Sequence, residues 1–135
     1  MFIGVTPNSR QPVTQKRLLS VDDDTQVLAI IQDVALGLGF SVETLSESAR
    51  FMTTYNRVKP DVITLDVMMP DMDGIEIIQW LTDIESTASV IILSGGARMY
   101  MKLGEKLARA RGSLRTTLIT KPFAIDDLRN ALLRP

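Results

Sequence analysis

Val-Ile-Thr-Leu-Asp-Val-Met-Met-Pro-Asp-Met-Asp-Gly, residues 62–74, is the stretch that decides how this chain folds. It opens with the short, mainly apolar run Val62–Leu65, which is typical of a strand buried on both faces of a sheet. Asp66 follows at the carboxyl end of that strand, and Pro70 and Gly74 then mark a loop. Ligands of open parallel sheets bind outside the carboxyl ends of the strands, so Asp66 is a candidate site residue.

The rest of the chain alternates between strand and helix patterns, which predicts a doubly wound α/β fold. Such an alternation gives a five-stranded parallel sheet with helices on both faces, and the strand order 2-1-3-4-5 is expected. Residues 1–16 show no periodicity and are expected to form a flexible N-terminal arm before a single domain over residues 17–135. Strands are predicted over residues 17–21, 40–45, 61–65, 90–93 and 115–120, and helices over residues 25–38, 47–55, 74–84, 99–110 and 125–132.

The composition excludes several kinds of chemistry. The chain has 135 residues, of which 45% are hydrophobic, so one domain with a sizeable core is expected. It contains no Cys and no His, which excludes thiolate nucleophiles and excludes imidazole as a base or metal ligand. The net charge of −1 gives no bias toward nucleic acid or an anionic membrane. With no bilayer-spanning apolar run and no signal peptide in the sequence, a cytoplasmic protein is expected.

Polar side chains stand at the ends of four predicted strands. Asp22 and Asp23 follow the first strand, Asp66 the third, Ser94 the fourth and Lys121 the fifth. In the expected strand order these ends converge on one crevice, while the second strand lies at the far edge. Three carboxylates at contact distance repel each other, and either protonation or a cation must relieve that repulsion. Oxygen ligands without His or Cys favour Mg²⁺ over Zn²⁺.

The remaining groups of the crevice suit a phosphoryl group. Lys121 brings a positive charge, and the hydroxyl of Ser94 with the N–H groups of Gly95 and Gly96 can bind oxyanion oxygens. A metal ion, an ammonium, a hydroxyl and amides around one carboxylate are what phosphoryl transfer to aspartate requires. Each residue alone has an ordinary structural interpretation, such as a turn, a solvated loop or, for Asp24, a helix N-cap. Their joint occurrence at four strand ends favours a site.

Four motifs carry a resemblance to a known family. They are Leu-Ser-Val-Asp-Asp-Asp at 19–24, Leu-Asp-Val-Met-Met-Pro-Asp-Met-Asp-Gly at 65–74, Ile-Leu-Ser-Gly at 92–95 and Thr-Lys-Pro-Phe at 120–123. The chain from Leu18 to Leu133 resembles the receiver domain of two-component response regulators. The resemblance implies the flavodoxin-like (βα)5 receiver fold and a signalling module that is not an enzyme. Because few residues follow Leu133, a stand-alone receiver is expected, although a piece of a longer protein stays open.

The resemblance also implies a phosphoacceptor and a metal site. Asp66 would take a phosphoryl group from a phosphohistidine on a sensor histidine kinase or a phosphotransfer protein. Asp23 and Asp66 would bind Mg²⁺ directly, together with the backbone carbonyl of Met68. Asp22 would bind the same ion through water.

The phosphoryl-binding groups follow from the same resemblance, with one departure. Ser94 and Gly95 would bind the phosphoryl oxygens, and Lys121 would neutralise their charge. A cis peptide bond before Pro122 is also implied. The family usually has Tyr or Phe three residues before the lysine, as a ring that reorients on activation, whereas this chain has Leu118. Leu118 has no ring to bury or expose, so the family's usual readout lacks its ring at this position, whereas phosphorylation does not depend on that ring.

A local excess of positive charge occurs between residues 97 and 121, where seven Lys or Arg residues accompany one acid, Glu105. The plain interpretation is a solvated helix face. The functional interpretation is a partner surface, for example for a homodimer formed through the predicted fourth helix, fifth strand and fifth helix. Nucleic-acid binding is not expected, since the sequence has no DNA-binding motif.

Two other function classes are alternatives to the phospho-accepting receiver. A phosphorylation-independent interaction module would keep the fold alone, and Leu118 leaves that class open. A small Mg²⁺-dependent phosphatase would need a second acid two residues after its nucleophile, where Met68 stands. An EF-hand loop would need Asp at the position of Met69, so that interpretation fails.

Overall fold

The computed structural model describes residues 15–68, 74–95 and 112–134. Their five strands form one parallel sheet in the order β2-β1-β3-β4-β5, which confirms the predicted α/β class and strand order. The strands are β1 (Arg17–Val21), β2 (Ser41–Leu45), β3 (Val62–Asp66), β4 (Ser89–Ser94) and β5 (Thr116–Thr120).

Four α-helices are present in the described residues. They are α1 (Thr25–Gly37), α2 (Phe51–Val58), α3 (Gly74–Asp83) and α4 (Ile125–Leu133), and a 3₁₀ turn (Ser48–Arg50) leads into α2. None of them is long and apolar enough to cross a membrane. The predicted helix over residues 99–110 lies outside the described residues, as does the predicted arm except for Gln15 and Lys16. Those two are hydrogen-bonded, through the Gln15 side chain to the Gly39 carbonyl and through the Lys16 carbonyl to the N–H of Ser41.

The two faces of the sheet bury separate apolar clusters. The α2–α3 core contains Phe51, Ile77, Ile78 and Leu81 against alternate residues of the strands. The α1–α4 core lies on the other face and contains Ile31, Ala35, Leu128 and Leu132. Every residue of β3 and β4 is buried, because these central strands have neighbours on both edges and helices on both faces.

The observed elements differ from the predicted ones mainly at their ends. Asp66 is the last residue of β3 instead of the first residue after it, and β4 extends by one residue at each end. The second helix runs past the predicted end at Tyr55 to Val58. It ends where Lys59 takes a left-handed conformation with φ 53°, whose N–H donates to the Tyr55 carbonyl. A non-glycine residue in that conformation gives no clear sequence signal, which explains the error.

The helix that follows β1 begins as its sequence predicts. The carboxylate of Asp24 accepts hydrogen bonds from the N–H groups of Gln26 and Val27, so Asp24 is the N-cap of α1. At the other end Gly39 has φ +92°, a conformation that suits glycine. The cap directs Asp24 toward the helix, which separates its role from that of the two preceding aspartates.

Candidate functional site

Three carboxylates meet at the carboxyl edge of the sheet. Asp22 directly follows β1 and is fully buried, Asp66 ends β3 and is 5% exposed, and Asp23 is exposed beside them. One oxygen from each of the three lies within 4.8 Å of the others. The structure therefore brings together the three acids that the sequence places at the ends of β1 and β3.

The crevice exists because β1 and β3 separate at this point. The two strands pair through Val21 and Leu65, the last partners in their shared register. Beyond them the N–H of Asp22 donates to the Leu45 carbonyl of β2, while the N–H of Val67 donates to the Leu93 carbonyl of β4. The segment after each of the two strands thus bonds to the outer neighbouring strand. A gap opens between the two segments, at the edge where open parallel sheets bind ligands.

Lys121 connects the two buried carboxylates. Its Nζ atom lies 2.7 Å from Asp22 Oδ2 and 3.3 Å from Asp66 Oδ2. The backbone N–H of Lys121 donates to the Ser94 carbonyl at 2.7 Å, which fixes the lysine beside the end of β4. The Lys121–Pro122 peptide bond is cis.

The other oxygen of each buried carboxylate accepts a backbone hydrogen bond. Asp22 Oδ1 accepts from the Asp24 N–H, and Asp66 Oδ1 accepts from the Met68 N–H, both at 2.9 Å. Both acids are therefore oriented by their own following turns, with the Oδ2 atoms facing Lys121. The side chain of Met68 is 46% exposed next to this turn.

Burial dominates the electrostatics of the site. Burial raises the pKa of Asp22 to about 6, against the lowering effect of its hydrogen bonds from Lys121 and the Asp24 N–H. Burial alone would lower the pKa of Lys121, but the hydrogen bond and charge of Asp22, joined by those of Asp66, outweigh it and raise that pKa. The three carboxylates face one ammonium, so the fully ionised cluster has an excess negative charge that favours binding of a cation.

The end of β4 supplies an unpaired hydroxyl. Ser94 is 1% exposed, and its Oγ atom has no hydrogen-bond partner in the part of the chain that the structure describes. A buried hydroxyl without a partner is costly, so a ligand oxygen at this point would be stabilising. Gly95 follows at the exposed surface, where no atom of the described residues lies within 4 Å of an added Cβ, and Gly96 lies outside the described residues.

The donor set fits Mg²⁺. It offers carboxylate oxygens without nitrogen or sulfur ligands, as hard divalent cations prefer. The excess negative charge and the buried Ser94 hydroxyl, to which no described residue is hydrogen-bonded, favour a cation and an oxyanion at the same edge.

Leu118 lies apart from this cluster. It is half-buried in β5 and packs against the α2–α3 core. It also lines a cavity of about 530 Å³ between β5 and α4, together with Phe123 and Asn130 among others. None of the three clustered aspartates lines that cavity.

A model of the response regulator receiver domain matches residues 18–133 of the chain. The chain belongs to this family. The chemotaxis protein CheY of Bacillus subtilis is 31% identical over 117 residues, which are 86% of this chain and 93% of that protein. The transcriptional regulatory protein PrrA of Mycobacterium tuberculosis is also 31% identical, and the match spans 86% of this chain but only 48% of PrrA.

Solved receiver structures agree with the family assignment. A response regulator from Colwellia psychrerythraea is 34% identical with a TM-score of 0.71, covering 89% of this chain and 95% of that one. A CheY-like receiver domain from Methanospirillum hungatei has a TM-score of 0.78 at 22% identity, covering 89% of this chain and 92% of that one. At that identity the second likeness shows the fold alone. This receiver is thus a member of two-component signalling systems.

Two structural contacts near the site were not predicted from the sequence. The Cα of Gly74 lies so close to Val67 that an added Cβ would stand 2.6 Å from the Val67 Cα. The hydroxyls of Ser20 and Thr64, two residues before Asp22 and Asp66, form a hydrogen bond in the core. A signal for the second contact is present in the sequence, because each strand carries one hydroxyl residue at the same offset before its aspartate.

Proposed function

We propose that this receiver accepts a phosphoryl group on Asp66 from a phosphohistidine of a sensor histidine kinase or phosphotransfer protein. The observation that carries the proposal is the setting of the Asp66 carboxylate. Lys121 Nζ lies 3.3 Å from Asp66 Oδ2, and the Ser94 hydroxyl, which has no hydrogen-bond partner among the described residues, stands at the end of the adjacent strand. A cation and a hydroxyl donor beside a buried carboxylate are the groups that stabilise an arriving phosphoryl group.

The transfer is a substitution at phosphorus. An oxygen of Asp66 forms the new P–O bond, the P–N bond to the histidine breaks, and its electron pair returns to the imidazole. The product is an acyl phosphate on Asp66. Lys121, the Ser94 hydroxyl and the Gly95 N–H offer a positive charge and donors to the phosphoryl oxygens, whose negative charge the carboxylate cluster would otherwise repel.

In this proposal Asp23, Asp66 and the backbone carbonyl of Met68 would hold Mg²⁺ directly, and Asp22 would hold it through water. When bound, the ion neutralises negative charge shared between the carboxylates and the phosphoryl oxygens. The protein residues orient that charge, since the Asp24 and Met68 N–H groups already fix one oxygen of each buried carboxylate.

The output of the receiver is proposed to be a change of surface or the binding of a partner. Leu118 has no ring to reorient, so a change in the surface of β5 and α4 would come from the movement of other side chains. A homodimer formed through this surface and the basic region of residues 97–121 is one form of that output. The alternative function is a phosphorylation-independent interaction module, which the aliphatic residue at position 118 leaves open, although the intact Asp22, Asp23, Asp66, Ser94 and Lys121 argue against it.

Intact-mass measurement separates these functions. The chain is incubated with Mg²⁺ and acetyl phosphate, and then with a phosphorylated kinase, beside Asp66→Asn. One added phosphoryl group is expected on the unchanged chain and none on Asp66→Asn. Gel filtration of the same samples shows whether phosphorylation alters the oligomeric state. Asp33→Asn, an exposed acid of α1, is the matched control and should be phosphorylated normally. No addition from either donor would favour the interaction module.

A further inference from the structure

A pair of hydroxyls lies buried beneath the carboxylate cluster. Thr64 Oγ1 donates to Ser20 Oγ at 2.6 Å, and both residues are fully buried. They are direct partners in the register of β1 and β3. Because side chains alternate along a strand, they share a face of the sheet with Leu18 and Val62, which belong to the apolar α1–α4 core.

The Ser20–Thr64 pair lies two residues before the two buried aspartates along the strands. Asp22 and Asp66 are the next residues on the same face, two positions further along β1 and β3. Val21 and Leu65 are the last partners that the two strands share, and beyond them each strand bonds to its outer neighbour. Ser20 and Thr64 are therefore the last facing side chains on the site's face before the crevice opens.

We propose that the Ser20–Thr64 hydroxyl pair is a positioning pair that sets the spacing of Asp22 and Asp66 for a shared Mg²⁺ ion. The proposal rests on the proposed function, since it assigns these residues to the same metal site. The hydrogen bond draws β1 and β3 together directly below the point where they separate. A directional bond of this kind fixes lateral position, which apolar contacts of similar volume do not.

The stability of the fold does not by itself require this hydroxyl pair. In an apolar layer, replacing two mutually bonded hydroxyls by apolar groups of similar shape is nearly neutral for the free energy of unfolding. The positioning role predicts that the metal affinity falls in the single and double variants alike, whereas the double variant, which leaves neither hydroxyl buried without its partner, should keep nearly unchanged stability. Groups that orient metal ligands through hydrogen bonds change metal affinity by about 10- to 100-fold when they are removed, and this pair, which lies one layer behind the ligands, is expected at the lower end of that range.

The test compares Mg²⁺ dissociation constants of Ser20→Ala, Thr64→Val and the double variant with that of the unchanged chain. Each titration is followed through the NMR signals of the Asp24 and Met68 amides, whose N–H groups donate to Asp22 and Asp66. Each single variant is expected to weaken binding roughly tenfold. The double variant should be no weaker than the single ones, because either change removes the same bond.

Two further variants keep the test informative. Thr64→Ser retains a hydroxyl and should bind Mg²⁺ almost as the unchanged chain does, which a loss of packing volume would not allow. Ser89→Ala removes another buried hydroxyl, which has no hydrogen-bond partner among the described residues. Ser89 begins β4, at the end of the strand away from the site, so this variant should leave the Mg²⁺ affinity unchanged. Urea unfolding of every variant measures stability separately.

The outcomes distinguish this inference from the proposed function. The unchanged chain could bind Mg²⁺ and be phosphorylated on Asp66 while the Ser20 and Thr64 variants bind Mg²⁺ with the same affinity. That result would overturn the positioning role alone. Equal losses in Thr64→Ser and Thr64→Val would also overturn it, because the hydroxyl would then not matter. Absence of Mg²⁺ binding in the unchanged chain would overturn both the proposed metal site and the positioning role.

Discussion

The apparent affinity for Mg²⁺ should fall about tenfold when the pH is lowered from 7 to 5. Burial raises the pKa of Asp22 to about 6, with the charge of Asp66 adding to the effect and the hydrogen bonds of Lys121 and Asp24 opposing it. About nine-tenths of the molecules carry an ionised Asp22 at pH 7, and only about one-tenth do so at pH 5. The proton must leave before the carboxylate can contribute to the site, so the affinity follows the ionised fraction.

Titration calorimetry at pH 5, 6, 7 and 8 measures this dependence directly. Asp22→Asn should bind Mg²⁺ more weakly at pH 7 and should lose most of the decline between pH 7 and pH 5, because its amide does not titrate. Asp33→Asn changes an exposed acid away from the cluster and should behave as the unchanged chain does. Dissociation constants that agree within about twofold at pH 5 and pH 7 would refute the reasoning, since the ionised fraction changes by about tenfold.

Three further predictions concern stability. Without Mg²⁺, the contribution of Asp22 to the free energy of unfolding should fall by about 2 kcal/mol as the pH rises from 4 to 6, because folded Asp22 keeps its proton to about pH 6 while the unfolded carboxyl releases it near pH 3.8. Asp22→Asn should flatten that curve in urea unfolding. Gly74→Ala should cost about 1–3 kcal/mol, since its Cβ would lie 2.6 Å from the Val67 Cα, whereas Gly95→Ala meets open space and should not. Ser89→Ala should be neutral or stabilising by up to about 1 kcal/mol in thermal unfolding, because the Ser89 hydroxyl is buried without a described partner.

The strand order and most element positions could be predicted from the sequence because the signals are local and strong. The strands β3 and β4 are short apolar runs between loop residues, and their complete burial follows from the alternation of strands and helices. The same alternation places four polar strand ends at one edge of the sheet. The strand β2 ends at the far edge without polar residues that reach the cluster, as its position in the order requires.

Features that depend on distances between strands could not be predicted. The sequence places Lys121 near the aspartates, but only the structure shows its ammonium between Asp22 Oδ2 and Asp66 Oδ2. The sequence predicts repulsion among the acids, yet the raised pKa of Asp22 depends mainly on its complete burial. Gly74 gives a loop signal in the sequence, whereas the structure shows that its missing side chain permits close contact with Val67.

The site is assembled from groups that the folded chain leaves only partly satisfied. In the described residues, one ammonium faces three carboxylates, and the buried Ser94 hydroxyl has no partner. Each of these features costs free energy, because excess like charge and partnerless buried hydroxyls are both unfavourable. A cation relieves the first cost and a phosphoryl oxygen relieves the second, so the two ligands offset different costs at one edge. Their binding should therefore be mutually reinforcing, since each brings charge or donors that the other attracts.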